Sequence, residues 1–259
     1  DGPVDHQVPV LMVKDTKNAL KAVLFGYACH STTLGFYQFC GDYSGFAKRY
    51  LEEAHPGVTA LFMAGCGGDQ NPYPRGELEL CKQHGRALAN GVETALQTNA
   101  RAVRGPLRAA LEDVVLTFAP PPGREQLEKE AQSKDKWERQ HAEALLDELK
   151  KTGEIRTTYP VPVQVVRFGD DLLLVALPGE VVVDYSLRLK SELAGPAVWV
   201  AGYSNDVFGY LPSLRVIEEG GYEGGGAMRY TTFPGPLAKP VEELVVEKVH
   251  ELVKKTETN

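Results

Sequence analysis

Between Ala22 and Pro74 the chain passes through two short apolar runs, each stopping abruptly in a polar loop. The first reads AVLFGYACHST and delivers His30; the second reads ALFMAGCGGDQNP and delivers Asp69 and Asn71. Apolar runs this short, bounded by glycine and polar residues, form buried strands. Between them GDYSGFAKRYLEEA changes to helical spacing, with Phe46, Ala47, Tyr50, Leu51 and Ala54 on one face. Strand, helix and strand in succession confine the chain to a fold mixing both elements. In such folds ligands bind just beyond strand ends.

The rest of the sequence follows suit. VPVLMVKDTKNALKAVLFGYACH reads as a β-hairpin turned at Asp15-Thr16-Lys17-Asn18. A helix is expected over 75–98, with Leu80, His84, Ala87, Leu88, Val92 and Ala95 inward, then a strand over 106–118. Pro120-Pro121-Pro122-Gly123 interrupts the pattern. Residues 123–153 form a charged helical insertion, docked through Trp137, Ala144, Leu145 and Leu149. PVQVVRFGDDLLLVALPGE is a second hairpin turned at Gly169-Asp170-Asp171; it ends at Glu180, where a helix begins. AVWVAGYSND is a further strand ending at Asn205-Asp206, GGYEGGGAMRYTTFPGP reads as loop, and a helix over 237–255 closes the chain. Hairpins require antiparallel pairs and the alternation of strand and helix requires parallel ones. The expected fold class is therefore α/β of the mixed α+β kind, one domain over 1–259 with a mixed parallel and antiparallel sheet covered by helices.

Composition excludes some partners. The net charge is −7 with no sustained basic stripe, which argues against nucleic acid. No apolar run approaches the roughly 18–20 residues that span a bilayer. The cysteines, Cys29, Cys40, Cys66 and Cys81, lack CxxC spacing, which argues against a structural zinc knot. They read as small buried residues beside strand ends.

Three strand ends carry potential metal ligands: His30, Glu180 and Tyr210. Imidazole and carboxylate suit zinc, and a catalytic zinc takes about three protein ligands and an open position. Each also has a structural explanation. A strand-end histidine is often simply hydrogen-bonded, a glutamate after Pro-Gly suits a first helical turn, and Tyr210 could be a core ring with its hydroxyl outward. The GCGGDQNP loop has two readings as well. Gly67 and Gly68 could form an anion-binding nest of backbone N–H groups, with Asp69 orienting a catalytic group and Asn71 donating to an oxyanion. Alternatively the loop is a glycine-permitted turn punctuated by Asn-Pro. Asn205 joins Gly67 and Gly68 as a substrate-binding candidate. The chain lacks the Lys-Ser/Thr of a phosphate-binding loop and a GxSxG nucleophile elbow.

The ordered set YACHST, GDYSG, GCGGDQNP, LPGE, YSNDVFGYLPS and GGYEGG resembles the neutral, non-lysosomal ceramidase family, and in particular its bacterial members, from about Val8 to about Val249. The resemblance implies a zinc-dependent hydrolase cleaving an N-acyl amide bond, as in ceramide, through metal-activated water. It implies His30, Glu180 and Tyr210 as zinc ligands, Tyr222 as a tyrosine near the reacting carbonyl, and structural or supporting roles for Asp42 and Asp69. Asn71 stands where the family has a catalytic serine. The family's first zinc histidine has no counterpart here, and neither does its C-terminal β-sandwich. The expectation is thus a catalytic-type domain lacking its N-terminal portion, which a preceding segment would complete. The expected partner is a lipid-like acylated substrate, and the expected location secreted or periplasmic, with cytoplasm left open. The alternatives are an incomplete homologue with a binding role, or a hydrolase of another amide, ester or glycan-type substrate.

Overall fold

A computed structural model of the protein describes residues 2–257. Strands β1 (Val10–Lys14) and β2 (Leu20–Tyr27) form the first hairpin, antiparallel as expected. Its turn is held by the Asp15 carboxylate, which accepts from the N–H groups of Lys17 and Ala19. Helix α1 (Asp42–Ala54) returns the chain so that β3 (Thr59–Ala64) pairs parallel to β2, completing a three-stranded sheet. Helix α2 (Leu78–Leu96) packs on α1. Val23, Phe25, Ala47, Leu51, Leu88 and Val92 form the core beneath them.

The second sheet has four strands. β4 (Leu107–Thr117) and β5 (Thr158–Phe168) are antiparallel, β6 (Leu172–Ala176) makes the second expected hairpin with β5, and β7 (Glu180–Val181) leads into helix α5 (Val183–Glu192). β8 (Ala197–Ala201) then pairs parallel to β6. The closing helix lies over this sheet and buries Val245, Val249 and Leu252 against Val163 and Val175. The mixed pairing expected from the sequence is present and divided between two sheets. A two-stranded parallel pair is added, β7 with β9 (Tyr210–Leu211).

Several details depart from the sequence reading. Ala54 and Ala87 are exposed, and the inward face of α2 is Cys81, Gly85, Leu88, Ala89 and Val92. Gly85 lets α2 approach α1, for a Cβ there would lie 2.6 Å from the Phe46 Cβ and 2.8 Å from the Tyr43 carbonyl. The insertion is two helices, α3 (Arg124–Glu130) and α4 (Lys136–Thr152), closed around Leu127, Ala142 and Leu145, while Trp137 stays 45% exposed. A short helix α6 (Leu214–Glu219) follows β9. The glycine-rich stretch contains a 3₁₀ turn over Gly226–Tyr230. The last helix, α7, begins at Val241 because Leu237 is drawn into a bridge with Phe118. All four cysteines are free thiols; Cys40 is exposed, and burial pushes the Cys29 thiol up to about 11.

Candidate active site

The polar loops of both sheets converge because their parallel-paired strands end on the same side. β2 and β3 end at Tyr27 and Ala64, so His30 and the Gly67–Asp69 loop follow them. β6 and β8 end at Ala176 and Ala201, so Glu180 and Tyr203 follow those. The two sheets are joined at this point by Gly202 N–H donating to the Ala64 carbonyl (3.1 Å), and the Gly68 N–H donates to the Val181 carbonyl of β7 (2.8 Å).

His30 is the centre of the cluster. Its Nε2–H donates to the Gly68 carbonyl at 2.9 Å, which leaves Nδ1 as the acceptor end of the ring. The Tyr203 hydroxyl lies 2.9 Å from that Nδ1 and 3.3 Å from Glu180 Oε2, so one phenolic proton faces two acceptors. His30 Nε2 and Glu180 Oε2 are 3.9 Å apart. The Tyr210 ring stands edge-on to His30 at 6.3 Å, and Tyr222 stands edge-on to Tyr210 at 5.5 Å. Burial first, then the Glu180 charge, holds the Tyr203 and Tyr210 phenols well above the ordinary tyrosine range. Burial also raises Tyr222. All three phenols therefore remain protonated donors at neutral pH.

The GCGGDQNP loop plays a different part from the nest envisaged for it. The Gly67 N–H donates to the Gly65 carbonyl and the Gly68 N–H to Val181, so both are engaged within the fold. A Cβ at Gly67 would lie 2.5 Å from the Cys29 nitrogen, and one at Gly68 would lie 2.6 Å from the Glu180 carbonyl oxygen. These glycines allow close packing between the strand ends. Asp69 accepts from the Val183 N–H at 2.9 Å, in the first turn of α5, and pairs with Arg215 at 3.2 Å. Asn71 is exposed; its Oδ1 accepts from Thr32 (2.9 Å) and Arg75 (3.1 Å), which turns its amide nitrogen into the donor end. Asn205, at φ +67°, donates to Gln164 at 3.1 Å.

His30, Glu180, Tyr210 and Tyr222 are thus brought together, with Asp69 behind them as a brace. Tyr203 is the member that sequence reasoning missed. Its signal was the same as that of His30, a polar ring just past a buried strand.

Two donors of one tetrahedral zinc stand about 3.3 Å apart, given zinc–ligand distances of about 2.0 Å. The 3.9 Å between His30 and Glu180 is measured from Nε2, which donates to the Gly68 carbonyl; the nitrogen free to ligate is Nδ1, which shares the Tyr203 hydroxyl with Glu180 Oε2. Imidazole and carboxylate are donor types that suit zinc, and here Nδ1 and Oε2 turn toward one point, which the Tyr203 hydroxyl holds. Among the described residues no group of three or more His, Cys, Asp or Glu side chains is arranged to hold a metal. No helix among them is long and apolar enough to cross a membrane.

No protein-family model and no curated protein sequence matches the chain. Solved structures do. Neutral ceramidase from Pseudomonas aeruginosa superposes with a TM-score of 0.69 at 19% identity, over 99% of this chain and 48% of that one. A structure described as ceramidase complexed with C2 superposes with a TM-score of 0.69 at 17% identity, over 99% of this chain and 50% of that one. The chain spans about half the length of these structures, and over that span it has the fold of a neutral ceramidase.

Proposed function

We propose that this chain carries most of the reaction centre of a hydrolase that cleaves N-acyl amides of the ceramide type. The observation that carries the reading is the His30–Tyr203–Glu180 cluster, set where the strand ends of both sheets meet in a ceramidase-like fold. His30, Glu180 and Tyr210 would hold zinc and leave a further position open on it. Bound there, zinc would supply Lewis acidity to polarise the acyl carbonyl and acidify a water.

The protein's own groups do the rest. The Gly68 carbonyl fixes the His30 ring, and the Tyr203 hydroxyl links the imidazole to the Glu180 carboxylate. Tyr222, neutral at working pH and half-exposed beside Tyr210, donates to the oxygen on which charge develops. Asn71 offers its amide N–H to the same end of the substrate. Removing one such donor typically costs about 10²–10³ in rate.

The test is metal analysis and turnover of an N-acyl amino alcohol by zinc-loaded protein, wild type against Glu180→Gln. The expected result is zinc near one per chain in the wild type, with occupancy and hydrolysis both lost in the variant. Full zinc and full activity in Glu180→Gln would remove the assignment.

A further inference from the structure

A row of aromatic rings leaves the candidate site and crosses the surface to the inserted helices. Tyr210 stands beside His30, Tyr222 beside Tyr210 (5.5 Å), Tyr230 beside Tyr222 (6.1 Å) and Trp137 beside Tyr230 (5.2 Å). The last three rings are 49%, 46% and 45% exposed, so each is held by the fold yet presents an open side. They come from separate pieces of chain: the turn before the 3₁₀ segment, its last residue, and the first turn of α4. An ion pair from Arg229 to Asp135, the N-cap of α4, fixes the 3₁₀ segment to the insertion at 3.2 Å.

We propose that this row is the floor of a subsite for a linear hydrocarbon chain of the substrate, an inference that rests on the N-acyl hydrolase reading above. Three observations select a hydrocarbon. The row is continuous with the site, so a chain attached to the scissile amide can pass from ring to ring. Successive rings are tilted by 73°, 51° and 71°. A corrugated surface of this kind matches a flexible methylene chain, whereas a sugar ring stacks on a flat exposed face. Finally, the charges at the far end sit over the rings, Arg229 at 5.4 Å from the Tyr230 centroid and Lys136 at 5.1 Å from that of Trp137. Their apolar stems extend the floor while their heads stay in water.

The protein contains its own probe. It has two tryptophans, and Trp199 is 5% exposed in the core, so a ligand on the row alters the emission of Trp137 alone. Titration uses N-acyl amino alcohols kept below their aggregation concentrations. One series lengthens the acyl chain on a fixed amino alcohol, and the other lengthens the amine chain on a fixed acetyl group. The expected result is a blue shift that saturates in one series, with apparent Kd falling about twofold per added methylene half-buried on the rings. The series that responds identifies which half of the substrate lies on the row. Trp137→Phe abolishes the signal, and Tyr230→Ala and Trp137→Ala remove about five- to tenfold of the advantage of long chains over short ones in KM. Length-independent binding, a shift persisting in Trp137→Phe, or a response only to N-acetylated sugars overturns the proposal. Length-dependent binding without hydrolysis upholds the subsite and removes the hydrolase reading. Hydrolysis with chain-length preference untouched in both alanine variants does the reverse.

Discussion

Tyr203 shows how much chemistry a single side chain can organise at this site. Among the described residues its hydroxyl is the one group that bonds to both His30 Nδ1 and Glu180 Oε2. Replacing it with phenylalanine removes that oxygen and leaves the packed ring in place. Through its bond to Glu180 the hydroxyl orients a candidate metal ligand, and such partners typically contribute about 10–100-fold in metal affinity. Tyr203→Phe is therefore expected to weaken zinc binding by about that factor with little change in the unfolding midpoint, as read by chelator competition and urea titration. Unchanged zinc affinity would make Tyr203 a packing residue only. The sequence concealed this role for a definite reason. Tyr203 and Asn205 both adopt positive φ, +54° and +67°, in a turn that lacks the glycine usually marking such backbone. Tyr203 follows an apolar run as directly as His30 and Glu180 do, so its place past a strand end was legible and the direction of its side chain was not. Tyr203 sits inside that turn, and its side chain enters the site only because the turn reverses.

At the scale of elements, hydrophobic period reads out which segments are helices better than which face each one buries. The α2 pattern pointed to Ala87 and His84, but the contact with α1 is set by Gly85, whose missing Cβ admits the Phe46 and Tyr43 atoms. A glycine contributes nothing to a hydrophobic pattern, so that signal was invisible. Two effects compete in Gly85→Ala. Helix propensity favours alanine by about 1 kcal/mol, and overpacking opposes it by about 1–3 kcal/mol. With the added methyl 2.6 Å from a Cβ and 2.8 Å from a backbone carbonyl, neither of which can swing aside, overpacking wins. A net loss of up to about 2 kcal/mol is expected in urea unfolding; a gain would mean that the helices separate freely.

The N-terminal segment provides a pH-dependent counterpart at the same scale. Burial alone would raise the Asp5 carboxyl, but Lys190 at 2.5 Å, Ser186 at 2.6 Å and the Gln7 N–H outweigh it and hold the pKa below the ordinary value of 3.8. A carboxylate whose folded pKa is depressed stabilises the fold fully above its unfolded pKa, and that stabilisation is lost as pH falls through the folded value. Attachment of residues 2–9 to α5 is thus expected to hold at neutral pH and weaken below about pH 4. Asp5→Asn should reproduce the weakening at pH 7. Hydrogen exchange in this segment is the readout, and protection unaltered in Asp5→Asn would show that the pair does not hold it.

For the molecule as a whole, the strand-and-helix alternation was legible and its division into two sheets was not. A register between β3 and β8 or a separation of β2 from β6 leaves no trace in apolar spacing, because both arrangements bury the same runs. What joins the sheets is small and local: Gly202 on Ala64, Gly68 on Val181, and Gly26 facing the Trp199 ring, whose nearest atom lies 3.0 Å from where a Cβ would sit. The candidate site inherits its geometry from this seam, since His30 follows a strand of the three-stranded sheet, Tyr203 follows one of the four-stranded sheet, and Glu180 lies in β7 between them. Gly68→Ala tests the dependence directly. Its methyl would lie 2.6 Å from the Glu180 carbonyl oxygen and 3.0 Å from the Val181 carbonyl carbon, both backbone atoms, so β7 must move away from the His30 loop. Overpacking of this kind costs about 1–3 kcal/mol, which a domain of this size can survive. A displacement of about 1 Å is nevertheless enough to spoil a ligand pair, for which tolerances are about 0.5 Å. Gly68→Ala is therefore expected to fold cooperatively yet lose zinc and hydrolysis together, whereas Gly235→Ala, with nothing within 4 Å of the added carbon, keeps both. Retention of zinc in Gly68→Ala would mean that the two sheets do not set the distance between His30 and Glu180, and that the ligands are positioned within their own loops.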